Sequence, residues 1–506
     1  MKNRLQLLVF ILGLFVLLFF TQGYWDGKVI GILSILMTIS VVFIGLVISL
    51  ENRHPTQTLT WLVVLGSFPV VGFFFYLLFG RNVRKRRLFE KKAKLDEQVL
   101  LKIEGDQRKI DEDLESMGEN YRHLFRLARK IGKSPISFAT ETHALTDGKE
   151  TFDEIMEALK HARHHIHLEY YIVRDDNLGR RIKDTLVQKA KEGIYVRFLY
   201  DAVGSLQLPR KYVEELQDAG VEMIPFLPVR LAFLNNKINF RNHRKIIVID
   251  GTIGFVGGLN IGDEYLGESR HFGFWRDTHL LVRGEAVRSL QLIFLQDWYY
   301  MTGQTLLTQM YLSPDLMDVD VLNNHGGVQM IAGGPDREWE VIKHLFFSMI
   351  TSAKESIWIA SPYFIPDEDI FTALKVAALS GVDVRLLVPK KPDKKIVYHA
   401  SRSYFPEMLK AGVNIYEYEK GFMHSKIVII DKEIASIGTA NMDMRSFHLN
   451  FEVNAFLYQT SSTQKLVYEY LQDLEQSSAL HLNDFEKRPL IQRIFESTSR
   501  LLSPLL

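Results

Sequence analysis

Two short stretches carry the residue types needed to break and remake a phosphodiester bond. Asn242-His243-Arg244-Lys245 leads into an apolar run that ends at Asp250, and Met423-His424-Ser425-Lys426 leads into one that ends at Asp431. In each copy His and Lys stand two apart at the head of the run, so on an extended strand both side chains share one face. The Asp lies seven residues past the His, where Asp250-Gly251 suggests a turn, and is expected to orient rather than to react. Gly257-Gly258 then permits close backbone approach, and Asn260 and Asn441 offer side-chain amide donors. The two copies are offset by 181 residues, and the offset also relates Gly257 to Gly438 and Asn260 to Asn441. One His-x-Lys pair on a strand edge is ordinary surface. Two copies sharing Asp, Gly and Asn at the same spacing are not.

Brought together, the copies make a pocket with two imidazoles, two ammonium groups and two amides. That set suits a phosphate diester: Lys245, Lys426, Asn260 and Asn441 hold the nonbridging oxygens, where charge must be stabilised during transfer. One His attacks phosphorus and the other protonates the leaving alkoxide, roles open to an imidazole whose ordinary pKa is about 6.5. A metal centre is the rival chemistry. A Lys beside each His opposes a cation, and Asp250 and Asp431 lie far along the chain from the imidazoles, so no metal is expected. The chain has no Cys, which excludes thiolate ligands, disulfides and a Cys nucleophile. It carries no HExxH, GK[ST] or GxSxG pattern either.

The elements that must position these residues alternate in strand and helix periods, which predicts α/β architecture. Strand patterns at residues 166–172 and 195–200, with a helical stretch between them, recur at 357–365 and 384–388. A repeat this long means two fused halves rather than a solenoid, with the two sites facing each other across a pseudo-two-fold axis. The expected division is a membrane anchor over 1–80, a basic juxtamembrane region and linker or packing helix over 81–135, a first half over 136–315, a second half over 316–483, and an amphipathic tail over 484–506.

The first 80 residues differ from the rest. Apolar runs cover 5–20, 29–50 and 59–80, and the latter two are uncharged over lengths that suit a spanning helix of about 20 residues. The first run is read as a retained anchor, since no small-x-small cleavage site follows it. Gly66, Pro69 and Gly72 interrupt the third, so two spans plus a re-entrant segment and three spans both stand. Arg81, Arg84, Lys85, Arg86 and Arg87 follow at once, placing the remainder on the cytoplasmic side. With 61 Lys+Arg against 60 Asp+Glu, the balance opposes a chain built to coat nucleic acid. At the far end, Leu490, Ile491, Ile494 and Phe495 share one helical face among Arg488, Arg493 and Arg500. A helix lying on the bilayer and one packed on the domain fit that period equally.

HxKxxxxD followed by G-x-x-N, present twice, resembles the signature of the phospholipase D superfamily over roughly residues 150–480. The N-terminal region, running into His54-Pro55-Thr56-Gln57-Thr58-Leu59-Thr60-Trp61 and ending Leu78-Phe79-Gly80-Arg81, is similar to that of bacterial cardiolipin synthases. So are Gly257-Gly258-Leu259-Asn260-Ile261-Gly262-Asp263 and Gly438-Thr439-Ala440-Asn441-Met442-Asp443. The resemblance implies a duplicated α/β/α sandwich with a pseudo-two-fold active site, preceded by transmembrane helices. It also implies a phosphatidyl-histidine intermediate, with His243 as nucleophile by analogy, formed without metal or other cofactor. Cardiolipin synthases of the family join two phosphatidylglycerol molecules and release glycerol; the alternative is a hydrolytic phospholipase D that makes phosphatidic acid. Two intact motifs oppose a non-catalytic scaffold. The family places a carboxylate behind each catalytic His: Glu452 stands at the expected place in the second half, and Asp277 is the first-half counterpart after a short insertion. The implied partners are phosphatidylglycerol and membrane lipid, with no nucleic acid. The implied place is the bacterial cell membrane, multi-pass, with the catalytic domain on the cytoplasmic face.

Overall fold

The computed structural model describes residues 117–228, 239–269, 272–312 and 326–503, with isolated positions at 42, 45, 46, 61–65, 92 and 114. Most of the expected membrane segments and nearly all of the basic cluster lie outside the described residues. Among those described, no helix is long and apolar enough to cross a membrane.

Two sheets carry the catalytic part. The first contains β1 (Thr140–Leu145), β2 (His165–Tyr170), β3 (Tyr195–Asp201), β4 (Glu222–Phe226), β5 (Ile246–Ile249), β6 (Ile253–Gly257) and, beyond the separate β7 (Phe274–Arg276), β8 (His279–Gly284). Its order is β1-β8-β6-β5-β2-β3-β4. The second contains β9 (Gly327–Gly333), β10 (Ser356–Ala360), β12 (Asp383–Pro389), β13 (Asn414–Tyr418), β15 (Ile427–Ile430), β16 (Ile434–Gly438), β18 (Glu452–Tyr458) and β19 (Ser477–Ala479). Short strands β11 (Phe364–Ile365), β14 (Gly421–Met423) and β17 (Met442–Asp443) stand apart from it. Read from β9, its order is β9-β18-β16-β15-β10-β12-β13-β19. Strand for strand this repeats the first sheet, with β19 added at one edge.

In each sheet the parallel strands follow helical crossovers, β2-β3-β4 in one and β10-β12-β13 in the other, and the HxK strand joins them antiparallel. β5 and β15 are short and wholly apolar because both faces are covered. Their inner faces meet in one core: Ile246, Val248, Val256 and Leu280 pack with Ile427, Ile429, Ile437 and Val453. The helices Ala286–Thr302 and Ser461–Glu475 add Leu290 and Leu466 to that core. The halves are therefore fused through shared burial.

The stretch expected as a linker or packing helix contributes a helix, Glu119–Gly132, whose Tyr121, Leu124, Phe125 and Ala128 enter the outer core of the second half. The C-terminal helix Leu490–Leu501 also packs on the second half, through its polar side. Glu496 and Ser499 are buried, while Leu490, Ile491, Ile494 and Phe495 face outward.

Candidate active site

β5 and β15 begin immediately after the lysines, so each His-Lys pair sits in the loop entering an inner strand. Each loop is then held by the opposite half. β14 pairs in parallel with β7, setting Met423 beside Arg276, and the His424 N–H donates to the Arg276 carbonyl at 2.7 Å. In mirror fashion Asn242 bridges to Phe451, and the His243 N–H donates to the Phe451 carbonyl at 2.9 Å.

The carboxylates follow the same exchange. His424 Nδ1 lies 2.6 Å from Asp277 Oδ2, and His243 Nδ1 lies 3.2 Å from Glu452 Oε1. Each imidazole is backed by an acid from the other half. The cross-strand register makes Asp277 and Glu452 equivalents: Gly257 pairs with His279, two residues past Asp277, and Gly438 pairs with Asn454, two past Glu452. Both acids are fully buried. Glycine at 258 is what leaves room for one of them, since a Cβ there would sit 2.0 Å from Asp277 Oδ1.

Burial pulls both imidazoles down to about 4, against the raising effect of Glu452 on His243 and of Asp277 on His424. Each ring keeps an open edge, with 17% of the His243 side chain and 14% of that of His424 exposed. Burial also pulls Lys245 down to about 7 and lowers Lys426; Glu452 and Asp277 oppose this in both cases. That each lysine senses both acids, and that Lys426 depresses Lys245, marks a single compact pocket. Burial raises both acids, yet Lys426 and His424 hold Asp277 below the usual range, and His243 and Lys245 do the same for Glu452.

Ionised acceptors at Nδ1 fix the tautomer. His424 Nδ1 lies within reach of both Asp277 and, at 2.8 Å, Lys426 Nζ. It cannot donate to one and accept from the other. The buried carboxylate needs a donor more, so Nδ1 carries the proton and Nε2 is left to react. Lys426 still donates to the His424 carbonyl, as Lys245 does to that of His243 at 2.6 Å.

The remaining expected residues divide. Asn260 and Asn441 are both buried; Asn260 Oδ1 accepts the Ile172 N–H at 3.1 Å, while Asn441 Oδ1 has no hydrogen-bond partner among the described residues. Asp250 and Asp431, grouped with the catalytic residues on the motif, are not brought to the imidazoles. Seven residues of extended chain span up to about 23 Å. Each Asp instead takes left-handed backbone (φ 53° and 51°) and fastens the far end of its strand. Asp250 accepts from the N–H groups of Arg163, His164 and His165 at 2.8–2.9 Å, and Asp431 from Lys354, Glu355 and Ser356 at the same distances. Their geometry is that of a structural tie.

Sequence reasoning missed three features. The Tyr171 ring lies 4.2 Å from that of His243. Asn450 Nδ2 donates to Glu452 Oε1 at 3.1 Å and sits 3.2 Å from His243 Nδ1. Arg244, between the motif His and Lys, turns away from the pocket into a buried charge network. It contacts Asp297 and donates to the carbonyls of Glu452 at 3.2 Å and Gly333 at 3.1 Å. Lys92 closes the network on Asp297 at 3.1 Å and Asp336 at 2.9 Å. Glu169 joins it, its pKa raised well above the usual carboxylate range by burial and by Asp297. The signal available beforehand was an Arg beside His243 where the second copy has Ser425.

The chain matches the family described as "Cardiolipin synthase, PLD-like domain" over residues 155–298 and again over 346–476, one match per half. Residues 32–81 match "Phospholipase D-nuclease N-terminal". It is 68% identical to a cardiolipin synthase of Geobacillus sp. (strain WCH70) and 66% identical to one of Alkalihalophilus pseudofirmus, covering 100% of each chain in both cases. Cardiolipin synthase 1 of Bacillus anthracis is 44% identical over 94% of both chains. Among solved structures, phosphatidylserine synthase of Haemophilus influenzae Rd KW20 matches with a TM-score of 0.56 at 14% identity, covering 76% of this chain and 100% of that one, a likeness of fold. On this sequence identity and on both repeats, the chain belongs to the cardiolipin synthase family of phospholipase D-like proteins.

Proposed function

We propose that the chain is a cardiolipin synthase, a membrane phosphatidyltransferase that uses phosphatidylglycerol as both donor and acceptor. The observation that carries this reading is the exchanged pairing, in which each of two imidazoles facing one pocket is oriented at Nδ1 by a buried acid of the opposite half. His243 Nε2 attacks the phosphorus of one phosphatidylglycerol, the bond to its glycerol headgroup breaks, and His424 gives that alkoxide a proton. A hydroxyl of the second phosphatidylglycerol then passes its proton to His424 and attacks phosphorus, releasing His243 and cardiolipin. One phosphodiester replaces another, so no nucleotide is needed. Assignment of nucleophile to His243 and acid to His424 follows the family resemblance, since the Lys426 ammonium 2.8 Å from His424 Nδ1 offsets its closer carboxylate.

Lys245, Lys426, Asn260 and Asn441 hold the phosphate oxygens in this scheme. The free pocket depresses the lysine and histidine pKa values by burial; an entering phosphodiester anion raises them again, so charge appears where it is used. The ammonium groups fill the place a metal would take. Anchoring through the apolar N-terminal runs, with the catalytic part cytoplasmic, keeps the pocket at the headgroup layer, where the acceptor is concentrated.

Lipid analysis of the full chain with phosphatidylglycerol vesicles tests the reading. Cardiolipin and glycerol should appear in equal amounts, with little phosphatidic acid, and excess glycerol should drive the reaction backwards. Water at about 55 M would win on concentration alone, so transfer depends on positioning worth effective molarities of about 10⁵ M or more. Phosphatidic acid as the main product, with cardiolipin unaffected by glycerol, would mark a hydrolase instead.

A further inference from the structure

The C-terminal helix Leu490–Leu501 is packed the reverse of an ordinary surface helix. Its polar side faces the domain. Glu496 pairs with Arg488 and, at 3.8 Å, with Arg402; Arg500 reaches Glu407 at 3.3 Å; and Ser503 meets the Tyr404 hydroxyl at 3.1 Å. Its apolar side points out, with Leu490 73%, Phe495 58% and Leu501 78% exposed, and with Ile491, Ile494 and Leu502 in the same arc. An apolar face held outward by polar contacts needs a partner.

The surroundings indicate which partner. Lys487 and Arg493 flank the stripe and are exposed. The helix packs on Lys395–Lys410, where the Phe495 ring lies 6.2 Å from that of His399. That second helix begins at a basic loop, Lys390-Lys391-Pro392-Asp393-Lys394-Lys395, whose lysines are all exposed and which is followed by the exposed Ile396. The loop stands at the pocket: Asp393 accepts from the Tyr363 hydroxyl and raises the pKa of His424. Apolar side chains bordered by lysines beside the mouth of the pocket complement one surface, an anionic bilayer with acyl chains beneath its headgroups.

We propose that the outward face of the helix Leu490–Leu501, together with the Lys390–Lys395 loop, docks on the surface of an anionic phospholipid bilayer and seats the pocket mouth among the headgroups. This rests on the reading of the chain as an enzyme of membrane lipid, and its test requires no turnover. Because the chain has no Cys, a single introduced thiol can be labelled uniquely. A nitroxide at Ile494→Cys, and separately at Leu490→Cys, is compared with one at Lys160→Cys on the exposed end of the helix Gly148–Lys160. The full chain is reconstituted in vesicles containing phosphatidylglycerol. Collisions with oxygen should rise and collisions with a water-soluble nickel chelate should fall at 490 and 494, by about threefold or more relative to 160. Two results would overturn the proposal. One is chelate access at 490 and 494 equal to that at 160. The other is shielding from both reagents with spin–spin broadening, which places a second copy of the chain on the face. Vesicles that give the docked signature but no cardiolipin would refute the proposed activity and leave the docking intact.

Discussion

Each catalytic loop leans on buried charge, but at different places: the carbonyl that holds His424 belongs to Arg276, which pairs with Asp473, whereas beside His243 the charge sits inside the motif itself. Between the motif His and Lys the second half has Ser425, a buried hydroxyl without a hydrogen-bond partner among the described residues. The first half has Arg244, locked to Asp297 and through it to Lys92 and Asp336. The oriented acids differ as well. Asp277 reaches His424 directly over glycine at 258, whereas the longer Glu452 lies beside Thr439, whose side chain helps keep it ionised, and shares Asn450. Two copies of one scaffold thus supply matching imidazoles with unequal support. Arg244 holds the Glu452 carbonyl from inside the motif, whereas His424 takes its backbone support from Arg276, an arginine outside the motif that pairs with Asp473.

The largest expected effects test what the halves share. His243→Ala or His424→Ala should each lower turnover of radiolabelled phosphatidylglycerol on the order of 10⁴-fold or more, because groups acting as a unit are not additive. Near-normal turnover in either variant would show that one half suffices. Next come the exchanged acids. Asp277→Asn and Glu452→Gln should each cost roughly 10²–10⁴-fold in kcat with little change in KM, as expected when an orienting carboxylate is lost. The larger loss should fall on Asp277→Asn, since Asn450 still neighbours His243. Equal losses would remove the asymmetry in orientation.

Stability should separate the halves more plainly. Arg244→Met takes from the buried Asp297 the guanidinium that pairs with it, and losing one partner of a buried pair costs about 3–5 kcal/mol. Ser425→Ala, which removes a buried hydroxyl with no hydrogen-bond partner among the described residues, should change stability by less than about 1 kcal/mol. Thermal unfolding of the two variants in detergent reads the contrast directly, and similar shifts would refute it.

The pH profile of kcat/KM, which reports the free enzyme, should show the smallest departure from ordinary behaviour. His243 must be neutral to attack and His424 protonated to serve the leaving alkoxide, and burial has brought both to about 4, so activity peaks near that value and falls as pH rises beyond it. Lys245 must be charged to hold phosphate, and burial has brought it to about 7, so the fall steepens above that value. A slope unchanged from pH 7 to 10 would mean that Lys245 keeps its proton at the unshifted value.

Much of this was legible in the order of residues. The 181-residue offset exposed the duplication because His, Lys, Asp, Gly and Asn recur at fixed spacing along strands that both halves must bury. The acids were harder to match: Asp277 and Glu452 are 175 apart, since the first half carries extra residues before β7. That they exchange partners was not legible, because it follows from pairing β7 with β14 and Asn242 with Phe451 across more than a hundred residues. The Arg244 network was equally hidden. Its members, Lys92, Glu169, Asp297 and Asp336, have no common spacing and meet only through tertiary packing. That Asp250 and Asp431 stand apart from the imidazoles was legible from the seven-residue spacing; the backbone N–H groups they hold, at 163–165 and 354–356, were not. Helical period marked the stripe on Leu490–Leu501 but held no information on which side would face the domain.

The division of labour between the halves is tested most directly by changing the leaving group. A phosphatidyl ester of p-nitrophenol needs no general acid, because its phenolate leaves unaided. With this substrate His424→Ala should recover a burst of about one p-nitrophenolate per active site, approaching the rate of the unsubstituted chain, since the rate lost with a single catalytic proton transfer is restored when none is required. His243→Ala should give no burst. A burst from His243→Ala and none from His424→Ala would reverse the roles of the halves, and no burst from either would contradict the assignment of nucleophile and acid to separate imidazoles.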